Sequence, residues 1–244
     1  MRMKQLTEFD LKELQCIMNA LGRISRIFNS EAQFQFELAW KIKEEFDCEV
    51  KLEELSRIYK GEKSKKDYTD IILEKDGLRI ALELKYKTDL YEDKSNNIYL
   101  KAHGAADLGA YDFLWDVHRI QLLTGIEEKS DSDDVKMPCD RGYAIILTND
   151  SRYWNSNSNN TLTTHGINRD FLIGSISKGN TFLKKGSHNW YTTQGTIGLS
   201  QALKNDKSRQ NSIKIVKDYP YKWQDYYTIA DKNGKFKYMV VEIS

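Results

Sequence analysis

Asp76-Gly77 lies between two runs rich in apolar residues, Tyr68–Glu74 and Leu78–Lys85. That dipeptide in that setting predicts a tight β-hairpin, because a type I′ turn needs positive φ at both central positions. With Asp76 and Gly77 as the loop, Lys75 opposes Leu78, and the register of the whole hairpin follows. Counting back from the turn, Asp70 faces Glu83. Directly opposed side chains stand roughly 4.5–5.5 Å apart at Cβ. Lys85 is two residues past Glu83 and shares its face. The other face holds Ile71, Leu73, Ile80, Leu82 and Leu84, a surface suited to a core. One hairpin therefore carries a greasy face and a face that concentrates two acids and a lysine.

Opposed like charges destabilise a sheet. Two facing carboxylates persist only with a proton, a nearby cation or a metal. Lys85 supplies part of that charge, and a divalent ion would supply more. Mg²⁺ is hard, takes oxygen ligands and is commonly held by one or two carboxylates with water and phosphate. Such an ion lowers the pKa of a bound water and polarises a phosphodiester. An ordinary cross-strand ion cluster on a surface hairpin is the competing explanation, since 30% of the residues are charged.

A helix opens at Ser30, where Gln33 completes an S-x-x-Q capping box, and runs to about Phe46. Its inward arc is Phe34, Leu38, Ile42 and Phe46. At 100° per residue Glu31 falls in the middle of that arc and Gln35 near its edge. An acid at the head of an inward stripe points toward the hairpin. A first-turn Glu is also favoured by the helix dipole alone.

A helix Glu, then an Asp, then a short interval and Glu-x-Lys is the core pattern of the PD-(D/E)xK nucleases, the restriction-endonuclease-like superfamily. Here it reads Glu31, Asp70 and Glu83-Leu84-Lys85, with twelve residues between the two hairpin acids. The chain further resembles a bacterial group within that superfamily. The matching stretches are SEAQFQFELAW, GAYDFLWDVHRI, AIILTND with a following YW, and the closing KWQDY and FKYMVVEI. Together they span the chain from residue 30 onward. Thr69 stands where the family pattern names proline, a position that varies widely.

The resemblance implies an α/β fold with an αβββαβ core, a mixed central sheet flanked by helices, and Mg²⁺ for which Mn²⁺ substitutes. It implies Asp70 and Glu83 as metal ligands, the Leu84 carbonyl as a third, and Glu31 holding metal or water. Lys85 takes the place of the catalytic lysine. Arg119, Gln35 and Lys87 are further candidates for contact with substrate. The activity implied is metal-dependent hydrolysis of phosphodiester bonds in DNA, endonucleolytic in type. A non-catalytic nucleic-acid-binding or assembly module on the same fold is the alternative, as is action on RNA or branched substrates. A homodimer or a partner subunit fits the many double-strand cutters that pair two such sites.

The remaining chain reads as one domain over 1–244. An N-terminal helix is expected over 7–28, from the stripe Leu11, Leu14, Met18, Leu21, Ile24 and Phe28. Residues 57–66, with five basic residues and one Glu, read as an exposed loop. A polar connection is expected over 88–97. A long helix from about Ala105 to Thr124 is nearly apolar all round and so expected to be buried. Within it Asp112, Asp116 and Arg119 cluster on one arc. A buried ion-pair stripe that docks the helix is the favoured explanation, and a role for Arg119 at phosphate or beside the site is the sharper one. Glu127–Asp140 carries a net −4 and reads as a solvated loop. Tyr143–Thr148 reads as a central strand and Phe236–Ile243 as a closing one.

Residues 149–244 form a basic, loop-rich C-terminal portion, with a net +7 over 178–222. That stretch and residues 57–66 are candidate phosphate-tracking surfaces. Trp154, Trp190, Tyr191, Tyr219 and Tyr221 are candidates for base stacking, although ordinary packing is favoured for each. The formal net charge of +1 excludes a globally basic nucleic-acid coat. No apolar run reaches the roughly 18 residues of a membrane span. Cys16, Cys48 and Cys139 form no CxxC, which argues against a disulfide framework and for a cytoplasmic setting. His103, His118, His165 and His188 show no paired metal spacing and read as surface or packing residues.

Overall fold

The computed structural model describes residues 3–24, 27–59, 65–104, 106–126, 133–154, 213–217, 219–220 and 222–244. It also describes short strands at 175–176, 181–182, 189–192 and 195–198. Most of the basic stretch 178–222, and His165 and Tyr221, lie outside the described residues.

The hairpin forms with the expected register. Asp76 and Gly77 both take positive φ, 50° and 85°. Lys75 pairs with Leu78, and the ladder continues through Leu73–Ile80 to Ile71–Leu82. The two strands are longer than expected, Lys65–Lys75 and Leu78–Lys87.

These strands belong to a sheet whose members, in chain order, are β1 (Glu49–Tyr59), β2 (Lys65–Lys75), β3 (Leu78–Lys87), β4 (Asp133–Val135), β5 (Arg141–Thr148), β6 (Gln224–Thr228) and β7 (Lys235–Ile243). Across the sheet the order is β6-β7-β5-β3-β2-β1-β4. β5 runs parallel to β3, and the other neighbours are antiparallel, so the sheet is mixed. The expected exposed loop at residues 57–66 is corrected in part: Arg57–Tyr59 end β1, and Lys65 and Lys66 begin β2. The acidic segment Glu127–Asp140 likewise contains β4, which covers the outer edge of β1. Within the expected connection at 88–97 begins a small two-stranded unit, Tyr91–Asp93 with Ile98–Leu100.

Three helices accompany the sheet among the described residues: α1 (Leu11–Ile24), α2 (Glu31–Glu45) and α3 (Ala106–Leu123). The N-terminal helix is thus shorter than 7–28. Asp10 caps it, its Oδ1 accepting the Glu13 N–H at 2.8 Å, while Leu6–Glu8 form a separate 3-10 turn. Ser30 caps α2 through the Gln33 N–H at 3.1 Å. The Gln33 side chain reaches one residue further back than a capping box requires, to the Asn29 N–H at 2.9 Å.

Period-2 alternation divides the strands between two cores. Ile71, Leu73, Ile80, Leu82, Leu84, Ile145 and Leu147 pack with α1 and α2. Ala144, Ile146, Met239, Val241 and Ile243 face α3. β5 is buried almost throughout, as expected of a central strand. α3 sits close to the sheet because Gly142 leaves room: a Cβ there would stand 2.4 Å from Ile120 Cγ2 and 3.0 Å from the Ala81 carbonyl oxygen. In chain order the central unit is therefore α2, β1, β2, β3, α3, β5, with helices on both faces of the sheet. No described helix is long and apolar enough to cross a membrane.

Candidate active site

The site begins where two strands part. The β2–β3 ladder ends at Ile71–Leu82, one step before Asp70 and Glu83. Alternate N–H groups of a strand face alternate neighbours, so the Leu84 and Tyr86 N–H groups are left on the edge that β2 vacates. Two acids take them. Asp70 Oδ2 accepts the Leu84 N–H at 2.6 Å, and Glu31 Oε2 accepts the Tyr86 N–H at 2.6 Å. The first residue of α2 and the end of the β2 ladder are thereby pinned to the same strand, two residues apart.

β1 contributes a second irregularity. Bridges Leu52–Ile71 and Glu54–Thr69 flank Glu53, which has φ 52° and stands opposite Asp70 without a bridge. The Asp70 carbonyl instead accepts from Gln35 Nε2 at 2.6 Å, and that nitrogen also lies 2.9 Å from Glu53 Oε1. Gln35 is thus engaged in holding the Asp70 backbone.

On the α3 side, the stripe noted in the sequence meets the hairpin acids and lysine. Arg119 Nη2 stands 2.5 Å from Glu83 Oε1 and also donates to the Tyr68 carbonyl. Lys85 Nζ lies 2.7 Å from Asp116 Oδ2 and donates to the Leu84 carbonyl at 3.1 Å. Lys87 Nζ lies 3.2 Å from Asp112 Oδ2. The stripe therefore docks the helix, and it does so on the site residues themselves. Asp116, expected only to dock the helix, also pairs with Lys85. Its link to Lys85 was not visible in the sequence, because helix periodicity does not say which strand a helix face meets.

Burial and charge set the protonation. Burial raises the Asp70 carboxyl to about 6; Lys85 opposes the rise and Asp116 adds to it. Glu83 is 1% exposed. Burial pushes it well above the usual carboxylate range, Arg119 pulls the other way, and the Asp70 and Asp116 charges add to the rise. Burial alone would lower Lys85, but Asp116, Glu31, Asp70 and Glu83 outweigh it and hold the amine as an ammonium ion. Arg119 is likewise held charged: burial works against it, and Glu83 and Asp116 overcome that. Lys85 is therefore held as a cation here, a hydrogen-bond donor and not a base.

Acids outnumber cations around Lys85. Four acids, Glu31, Asp70, Glu83 and Asp116, influence Lys85, while Arg119 is the second cation among them. Asp70 forms no ion pair within 4 Å among the described residues. Asp116 Oδ2 is buried and, despite its short contact to Lys85, lacks a well-directed hydrogen bond. The two buried acids, Glu83 and Asp116, are matched by Arg119 and Lys85, while Asp70 is half-buried and Glu31 is exposed. Among the described residues no three of His, Cys, Asp and Glu converge tightly enough to chelate an ion by themselves.

Other candidates disperse. Arg57 is buried against Asp67 and lies 5.7 Å from the Trp115 ring, so it is not part of a phosphate-tracking surface. Tyr219 is buried with its hydroxyl 3.1 Å from Gln121 Oε1, and Trp154 packs on Trp223. His103 receives the Thr88 N–H at Nδ1. Comparison of the chain with protein-family models, with curated proteins and with solved structures found no match in any of the three.

Proposed function

We propose that this protein is a divalent-metal-dependent nuclease that hydrolyses phosphodiester bonds in DNA, with a restriction-endonuclease-like core. The observation that carries the reading is the strand fork. It holds Asp70, Glu83 and Lys85 together, with Glu31 anchored at the neighbouring residue, and leaves the carboxylates in excess of the cations. The αβββαβ order of the central unit agrees with it.

Asp70 and Glu83 would hold the ion, with the Leu84 carbonyl and Glu31 beside it. A bound ion supplies a water made acidic enough to attack and a positive charge on the phosphate oxygens. The protein's own part is charge and placement. Asp70 is presented ionised above pH 6. Lys85, kept protonated by four carboxylates, places positive charge where a phosphate gathers negative charge during attack. Asp116 aims Lys85, and Gln35 aims Asp70. Arg119 neutralises Glu83 and is a second cation within reach of phosphate.

The test is DNA degradation with Mg²⁺ or Mn²⁺, its loss in EDTA, and its loss in Asp70→Asn, Glu83→Gln and Lys85→Met. Each change should lower the rate by at least a hundredfold, roughly the scale of removing one electrostatic group from an active site, with the thermal transition retained. Undiminished cutting by these variants would sink the assignment. A second reading, a non-catalytic nucleic-acid-binding module, draws on the pairing of Glu83 with Arg119 and Lys85 with Asp116. Salt-sensitive DNA binding without cleavage under both metals would favour it.

A further inference from the structure

A cleft of about 380 Å³ opens beside Glu31, at the C-terminal end of β3. Its wall is rigidly built. The Thr88 N–H donates to His103 Nδ1 at 2.9 Å, the His103 N–H donates to the Thr88 carbonyl at 2.8 Å, and the Thr88 hydroxyl donates to the Lys101 carbonyl at 2.7 Å. Because Nδ1 accepts, the neutral imidazole carries its proton on Nε2 and presents a donor there. The opposite wall is the start of α2, tied in where Asn29 Oδ1 accepts the Tyr99 N–H at 3.4 Å. Tyr99 itself is 55% exposed and lines the opening, as do Lys87 and Lys101.

The lining thus offers the exposed Lys101 ammonium, an imidazole N–H and an aromatic face around a concave space, with Glu31 and Lys87, the latter paired to Asp112, also in the lining. That combination fits a nucleotide unit: a cation for phosphate and a ring for the base. Lys87 follows Lys85 by two strand residues, about 6.6 Å, so a strand whose phosphate lies at Lys85 would bring a flanking nucleotide to the cleft. A base seated there has left its stack and its pair.

We infer that this cleft is a subsite for one unstacked nucleotide next to the cleaved bond, with Tyr99 stacking on the base and Lys101 and His103 binding phosphate, so that the substrate is single-stranded DNA or a single-stranded end. The inference rests on the nuclease reading of Glu31, Asp70, Glu83 and Lys85.

Fluorescence anisotropy in EDTA, with a labelled oligothymidylate and a blunt duplex of equal length, measures binding apart from cleavage. The oligothymidylate should bind more tightly than the duplex. Tyr99→Ala should weaken it about tenfold, within the usual range for one base–aromatic stack. Lys101→Gln should weaken it and flatten the salt dependence. Tyr99→Phe, which keeps the ring, and Trp40→Ala, which removes an exposed ring on α2, should bind as the parent does. Duplex binding at least as tight as single-strand binding, an unchanged Tyr99→Ala, or an equal loss in Trp40→Ala would overturn the subsite. Ring-dependent binding in EDTA together with no cleavage in Mg²⁺ or Mn²⁺ would overturn the nuclease reading and with it the placement beside a cleaved bond, leaving a single-strand-binding cleft only.

Discussion

Asp70 is the residue on which charge, geometry and pH meet. Burial raises its carboxyl to about 6 in the folded chain against an ordinary value of 3.8. The folded state therefore binds the proton more tightly, and stability falls as pH rises from about 3.8 to about 6, then levels off. The cost above that window is roughly 3 kcal/mol. Asp70→Asn should remove most of it, stabilising the protein by about 1–3 kcal/mol at pH 7.5 and by much less at pH 4.5. Urea unfolding at the two pH values measures this. Equal effects at both would show that Asp70 carries no buried charge. Saturating Mg²⁺ should stabilise the parent and not the variant. The three hairpin residues were readable because an Asp-Gly turn sets a register and the register sets a face. Glu31 is placed by periodicity on the inward arc of α2, yet it is exposed at the helix start and meets the strand through the Tyr86 N–H. The pairing of Lys85 with Asp116 was not readable, since it depends on how α3 docks.

At the level of elements, the site exists because β2 pairs with β3 only from Ile71 to the turn, which leaves Asp70 and the residues before it apart from β3. The turn predicts the pairing near it and says nothing of where pairing stops. That limit is set from outside the hairpin, by Glu53 in a left-handed conformation and by Gln35 and Glu31 reaching in from α2. β1 itself was not expected, since EVKLEELSRIY alternates imperfectly and its basic end resembles a loop. α3, by contrast, was expected within a residue or two. Its placement depends on Gly142, where an added methyl would press on Ile120 and the Ala81 backbone. Gly142→Ala should cost about 1–3 kcal/mol by overpacking. It should also reduce cleavage, because α3 carries both Asp116 and Arg119. Loss of stability at unchanged activity would show that helix position does not set the site.

Across the whole molecule, a formal charge of +1 conceals strong local structure. Acids outnumber cations at the fork, while Lys87, Lys101 and His103 gather at the cleft beside it. A chain so balanced does not coat DNA indiscriminately. The proposed function requires a metal ion at the fork and a phosphate beside it. The most direct measurement is anomalous diffraction from crystals soaked in Mn²⁺. The account predicts a peak between the Asp70 and Glu83 carboxylates, absent in Asp70→Asn. A parent crystal without that peak, with Glu83 still on Arg119 and Lys85 still on Asp116, would contradict it.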